Sequence, residues 1–192
     1  METITDLLLN FWQYLLLIIL ILIGFVINLF DKKIYVTWDF EYEVYPVLMP
    51  IKIATAGKGF WTMIKIWLLG KRQWKFHEDF EFKLNGESYI IPAGFSCDAA
   101  SIPRFLSPFL SSTGLLLLGG VCHDYLYKHQ TLLKANKKDT MGKVTQKTAD
   151  QIFLDINLQI NGFYLINKLA WLALRMAGFM AWNGHRQREK DD

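Results

Sequence analysis

From Leu7 to Phe30 no side chain carries a charge, and only Asn10, Gln13, Gly24 and Asn28 interrupt the apolar run. A helix rises about 1.5 Å per residue, so such a run can cross roughly 30 Å of hydrocarbon. It predicts an N-terminal transmembrane anchor over residues 1–33, and so a single-pass membrane location with the lipid bilayer as partner. A cleaved signal peptide fits less well. Glu2 and Asp6 stand where a basic region would be, and no small-x-small site follows. Lys32 and Lys33 come next. By the positive-inside bias they place the following domain on the cytoplasmic side.

Residues 34–185 then read as one α+β domain, and 186–192 as a charged tail that frays. Apolar residues make up 52% of the chain, more than the N-terminal run alone explains. The net charge of +3 lacks the dense basic stripe with stacking aromatics that nucleic-acid binding needs, so that class is excluded. Two cysteines, Cys97 and Cys122, do not make a disulfide scaffold.

The first half of the domain predicts antiparallel strands. Tyr35–Trp38 and Phe40–Tyr45 are β-branched and aromatic, the second with alternation. Phe80-Glu-Phe-Lys-Leu84 alternates strictly, Asn85-Gly86 supplies a two-residue hairpin turn, and Tyr89–Ile91 returns. Phe60–Leu69 has helical spacing at Trp61, Ile64 and Leu68 but is short. It reads either as a helix on a bilayer surface or as an insertion between strands.

The second half predicts helices. Leu115–Tyr127 is apolar enough to be buried. Residues 128–147 form a lysine-rich connection, read as a solvated loop in preference to a contact with anionic headgroups. Thr148-Ala-Asp-Gln151 fits a capping box for the next helix, which Gly162 closes. The last helix, about Tyr164–Trp182, is apolar nearly all round, and core packing is preferred over an interfacial position.

Three clusters can carry chemistry: Pro92–Arg104, His123–Tyr127 and Ala149–Phe153. On a helix, His123 and Tyr127 share a face, and Asp124 points about 100° away. An imidazole is the usual general base at neutral pH, and it works better when a carboxylate holds its other nitrogen. Asp150 is the candidate carboxylate. Asp124 is then free for a cation, with Gly94, Asp98 and neighbouring carbonyls of the 94–101 loop as further oxygen ligands suited to calcium. Each residue also has a structural explanation. His123 can be a core histidine, Asp150 sits where the helix macrodipole favours an acid, and Asp98 can cap a turn. Buried ionisable groups, however, are costly without partners.

These clusters carry two resemblances. Ile91–Arg104, His123–Tyr127, Ala149–Phe153, Gly178 and Trp182 resemble, in order and spacing, a phage and bacterial family called domain of unknown function 1353. The resemblance covers about Trp74 to Trp182. It implies a fold unit and a phage setting: a host inner membrane or a virion envelope, with virion or envelope proteins as partners. Cys97 stands where that family usually has threonine, which makes it a poor nucleophile candidate. More distantly, His-Asp-x-x-Tyr followed by Ala-Asp-x-x-Phe resembles the short phospholipase A2 core of bacterial, fungal and parvoviral enzymes. That resemblance implies His123 as the base that activates water, Asp124 as a calcium ligand, Asp150 as the residue orienting the histidine, and Tyr127 in support. It also implies a Cys97–Cys122 disulfide in an oxidising compartment.

Two functions follow as expectations. One is a calcium-dependent lipid esterase, or a relic of one. The other is a non-catalytic virion or envelope membrane protein whose His123–Asp124–Asp150 cluster is structural. A metal phosphohydrolase is disfavoured for want of a second helical histidine, since His77 falls in a predicted strand and His129 just past the predicted helix. A Cys122–His123 dyad is disfavoured because adjacent helical residues do not face each other.

Overall fold

Alternation in the sequence decides the central sheet. In β4 (Phe80–Leu84) the apolar residues Phe80, Phe82 and Leu84 are buried, and Glu81 and Lys83 are exposed. Asn85 (φ 52°) and Gly86 (φ 78°) turn the chain through two left-handed residues, the geometry that matches strand twist in a two-residue hairpin. β5 (Glu87–Ile91) returns in register, with Phe82 opposite Tyr89. β1 (Phe40–Tyr42) flanks β4, and β7 (Leu133–Lys134) flanks β5, giving an antiparallel order β1-β4-β5-β7. A second antiparallel sheet has the order β2-β3-β6, from β2 (Leu48–Pro50), β3 (Trp74–Phe76) and β6 (Ser96–Cys97). The computed structural model describes residues 14, 18–19, 21–23, 26, 36–69, 73–98 and 114–191.

Beyond the helical residues of the N-terminal stretch, the described helices are α1 (Phe60–Leu69), α2 (Leu117–His129), α3 (Gln146–Asn161) and α4 (Tyr164–Asp191). α2 is buried along most of its length and packs on α3 and the sheet through Leu118, Val121, Leu126, Ile152 and Ile156. Each such side chain contributes about 1.5–3 kcal/mol by leaving water. α2 and α3 approach closely where Gly119 faces Asn157, because a Cβ at Gly119 would collide with the Asn157 amide.

The transmembrane helix expected over Leu7–Phe30 is corrected. No helix among the described residues is long and apolar enough to cross a membrane. Of that stretch only Tyr14, Ile18, Ile19, Ile21, Leu22, Ile23 and Val26 are described; they are helical and exposed. The rest of the stretch lies outside the described residues. α4 has the length, at 28 residues, but carries Lys168, Arg175 and a charged end. The single-pass N-terminal location is withdrawn with the span, while the α+β architecture with antiparallel sheets stands.

Smaller expectations shift for local reasons. Thr37 and Trp38 form a bend, not a strand, because their amides donate to the Asp155 carboxylate at 2.9 and 3.1 Å. The cap of α3 is Thr145, whose hydroxyl accepts from the Thr148 amide, three residues before the expected cap. Gly162 (φ 64°) does close α3, its amide donating to Leu158. α1 is a helix. The 128–147 connection contributes β7. α4 continues past Trp182 to Asp191, and its outer stripe of Leu169, Leu172, Met176, Phe179 and Met180 is exposed instead of packed in a core.

Candidate active site on the α2–α3 helix pair

α2 carries His123, Asp124 and Tyr127, and the first turns of α3 carry Asp150. Packing of the two helices brings His123 Nε2 to 3.0 Å from Asp150 Oδ1, and the Tyr127 hydroxyl donates to the same oxygen at 2.6 Å. The His123 and Tyr127 rings lie one helical turn apart, 3.9 Å between centroids, and Phe153 closes against the imidazole. The expected juxtaposition of His123, Tyr127 and Asp150 is therefore present.

A fourth member was not anticipated. Arg175 of α4 donates from Nη1 to Asp150 Oδ2 at 2.6 Å. Burial opposes ionisation of Asp150, but hydrogen bonds from His123, Tyr127 and Arg175 outweigh it and hold the carboxyl below its ordinary pKa. With an ionised acceptor at Asp150, the network assigns the neutral-ring proton to His123 Nε2 and leaves Nδ1 as the basic nitrogen. The Tyr127 hydroxyl is pushed the other way, by burial first and then by the Asp150 carboxylate, so it stays a donor. Gly178 lets α4 lie against this centre, since a Cβ there would fall 2.5 Å from the Tyr127 hydroxyl. No periodicity signals Arg175; it is one of two cations in an apolar stretch, and only a carboxylate needing a counter-charge gives it a reason.

Asp124 faces a different neighbourhood. Its Oδ2 accepts from the Asp98 amide at 3.1 Å. Burial, and after it the adjacent Asp98 carboxylate, raises the Asp124 pKa well above the ordinary range, with Lys128 opposing. The Lys128 ammonium donates to the Ser96 carbonyl and lies 4.6 Å from the Phe95 ring centroid. Asp124 and Asp98 thus meet as expected, but Gly94 (φ 86°) turns the chain so that its amide donates to Phe76. Residues 99–101 of the expected ligand loop lie outside the described residues. Among the described residues no group of three or more His, Cys, Asp or Glu could hold a metal. Of the oxygens considered for calcium, the Ser96 carbonyl accepts from Lys128 and Asp124 Oδ2 accepts from the Asp98 amide.

Cys97 and Cys122 are both buried and are not joined by the implied disulfide. Burial, and secondarily the proximity of Cys97, drives the Cys122 pKa far above that of an exposed thiol, so it is no thiolate nucleophile.

The family described as protein of unknown function (DUF1353) matches residues 74–174, more than half of the chain. The chain belongs to the DUF1353 family. The matched span of this DUF1353 protein runs from β3 into α4 and holds His123, Asp124, Tyr127 and Asp150, while Arg175 lies one residue beyond it. No curated protein and no solved structure matches the chain. The family brings a shared sequence pattern without an activity.

Proposed function

We propose that this DUF1353 protein is a hydrolase in which His123 activates water. The observation that carries the reading is the 3.0 Å contact between His123 Nε2 and the fully buried Asp150, itself held by Tyr127 and Arg175. A carboxylate that fixes one ring nitrogen leaves the other as a general base. In this reading Nδ1 takes a proton from water, and the hydroxide adds to an ester carbonyl carbon. The tetrahedral intermediate then expels the alcohol oxygen, which recovers the proton from the imidazolium. Asp150 stays ionised throughout and, with Tyr127 and Arg175, positions the ring. The substrate class, lipid carboxylic esters, comes from the resemblance of the two short motifs to the phospholipase A2 core. The test is fatty-acid release from phospholipid vesicles by the full chain. His123→Ala should lower the rate by at least about 100-fold, the scale of a lost general base. A rate unchanged in that variant would end the proposal.

One observation favours a second reading. The His123 side chain is only 6% exposed. A buried, fully partnered network can serve to fix the packing of α2, α3 and α4 without any chemistry. Absence of hydrolysis in the parent, together with large destabilisation on Asp150→Ala, selects this reading.

A further inference from the structure

The chain leaves the second sheet at Pro50 and rejoins it at Trp74, directly opposite in the β2–β3 ladder. The described side chains of the excursion between them do not join the core. Every residue from Ile51 to Met63 is exposed, including Phe60 at 64% and Trp61 at 78%. Val44, Tyr45, Val47 and Met49, leading into it, are exposed as well. Bulky apolar side chains grouped in this way mark an interaction surface and not ordinary scatter.

Charge identifies the partner. From Val44 to His77 there is no Asp or Glu, although the chain has 18; the same stretch holds Lys52, Lys58, Lys65, Lys71, Arg72 and Lys75. Lys52, Lys58 and Lys65 are exposed among the apolar residues. Aromatic and aliphatic side chains interleaved with lysine and free of acids complement a surface that is both apolar and anionic, as the headgroup region of an acidic bilayer is. Beside the excursion lies a cavity of about 300 Å³ lined by Pro50, Ile51, Ile53, Gln73 and Trp74. The Trp74 indole Nε1–H is buried with no hydrogen-bond partner among the described residues, a donor suited to a lipid ester or phosphate oxygen.

We infer that residues 44–66 form a peripheral docking surface for anionic phospholipid, with Phe60 and Trp61 entering the headgroup layer and Lys52, Lys58 and Lys65 lying over it. This is reversible adsorption by a folded domain and involves no spanning segment. It stands independently of hydrolysis.

The experiment places an environment-sensitive fluorophore at Trp61→Cys in the full chain, with the unsubstituted protein as the labelling control. A second reporter sits at Met176→Cys on the exposed stripe of α4. Phosphatidylglycerol vesicles should shift the residue-61 reporter to the blue, phosphatidylcholine vesicles far less, and added salt should reverse the shift. Replacing Lys52, Lys58 and Lys65 together by serine should weaken the half-point by about 100-fold, from about 1 kcal/mol per basic residue. His123→Ala should leave the response intact, which separates this surface from the hydrolase reading. Three results would overturn the inference. They are no shift at residue 61 with any vesicle, an equal shift with neutral and anionic vesicles, and a shift that follows protein concentration without lipid.

Discussion

Replacing Gly178 by alanine should destabilise this protein, although helix propensity alone argues the opposite. Alanine in a helix interior is favoured over glycine by about 1 kcal/mol. At Gly178 the new methyl would lie 2.5 Å from the Tyr127 hydroxyl and 3.1 Å from Gln146 Nε2. Tyr127 has little room to yield. Its hydroxyl is held on Asp150 at 2.6 Å, its ring lies 3.9 Å from His123, and Trp182 stands edge-on at 5.1 Å. Relief means moving the hydroxyl off the carboxylate or pushing α4 outward. Losing a hydrogen bond to a charged group costs about 1.5–3 kcal/mol, and overpacking costs about 1–3 kcal/mol. After subtracting the propensity gain, either route leaves a net loss of up to about 2 kcal/mol, or up to about 8 °C in melting temperature for a chain of this size. Gly184 is the internal control: it lies on the same helix, and a Cβ there meets nothing within 4 Å. Gly184→Ala should raise the melting temperature by about 2 °C. Thermal unfolding by circular dichroism reads both variants. If Gly178→Ala is as stable as Gly184→Ala, α4 does not lie against Tyr127, and the four-residue centre is wrongly assembled.

Other expectations follow from the same geometry. Asp150→Ala leaves His123, Tyr127 and Arg175 without their shared acceptor and should cost about 3 kcal/mol, the low end for a broken buried pair because the Arg175 side chain is 32% exposed; denaturant unfolding measures it. Because the folded state lowers the Asp150 pKa, its stabilisation is present above the unfolded value near 3.8 and is lost as pH falls through the lower folded value. Asp150→Asn should therefore show a shallower acid limb in a stability–pH profile. Asp124 has the opposite sign. Its raised pKa favours folding below 3.8 and costs stability as pH rises through the folded value, so Asp124→Asn should melt higher than the parent at pH 7, with the gap closing toward acid. Asp155→Ala should free the Thr37 and Trp38 amides and cost about 2–4 kcal/mol, seen as faster hydrogen exchange over Phe40–Tyr42. Calcium should leave the parent melting temperature unchanged; a rise that Asp124→Asn abolishes would show that the ion displaces Lys128.

What the sequence made legible was what local physics decides. The β4–β5 hairpin follows from strict alternation and an Asn-Gly turn, and no tertiary partner is needed to place it. His123, Tyr127 and Asp150 were recoverable because two short motifs sit at helical spacing on helices that must pack. Elements set by distant partners were not legible. Thr37 and Trp38 have strand propensity, but a carboxylate more than a hundred residues away takes their amides. Leu133–Lys134 is too short to announce itself and becomes a strand only because β5 offers an edge. The capping box at Thr148 was legible, but the hydroxyl that caps α3 is that of Thr145, three residues earlier. Arg175 is unremarkable in sequence and central in space. The apolar N-terminal run announces a span through hydropathy alone, and among the described residues no helix is long and apolar enough to be one.

The Arg186 guanidinium donates to the Tyr127 and Lys128 carbonyls, at 2.7 and 2.6 Å, and lies over Trp182. It therefore satisfies the end of α2 from a helix made much later in translation. During synthesis, α2 and α3 leave the ribosome with Asp150 lacking its counter-charge and the α2 terminus open to water. Only when Arg175 and then Arg186 emerge can both be closed, so a nascent chain arrested after α3 should bind holdase chaperones that release it once α4 is out.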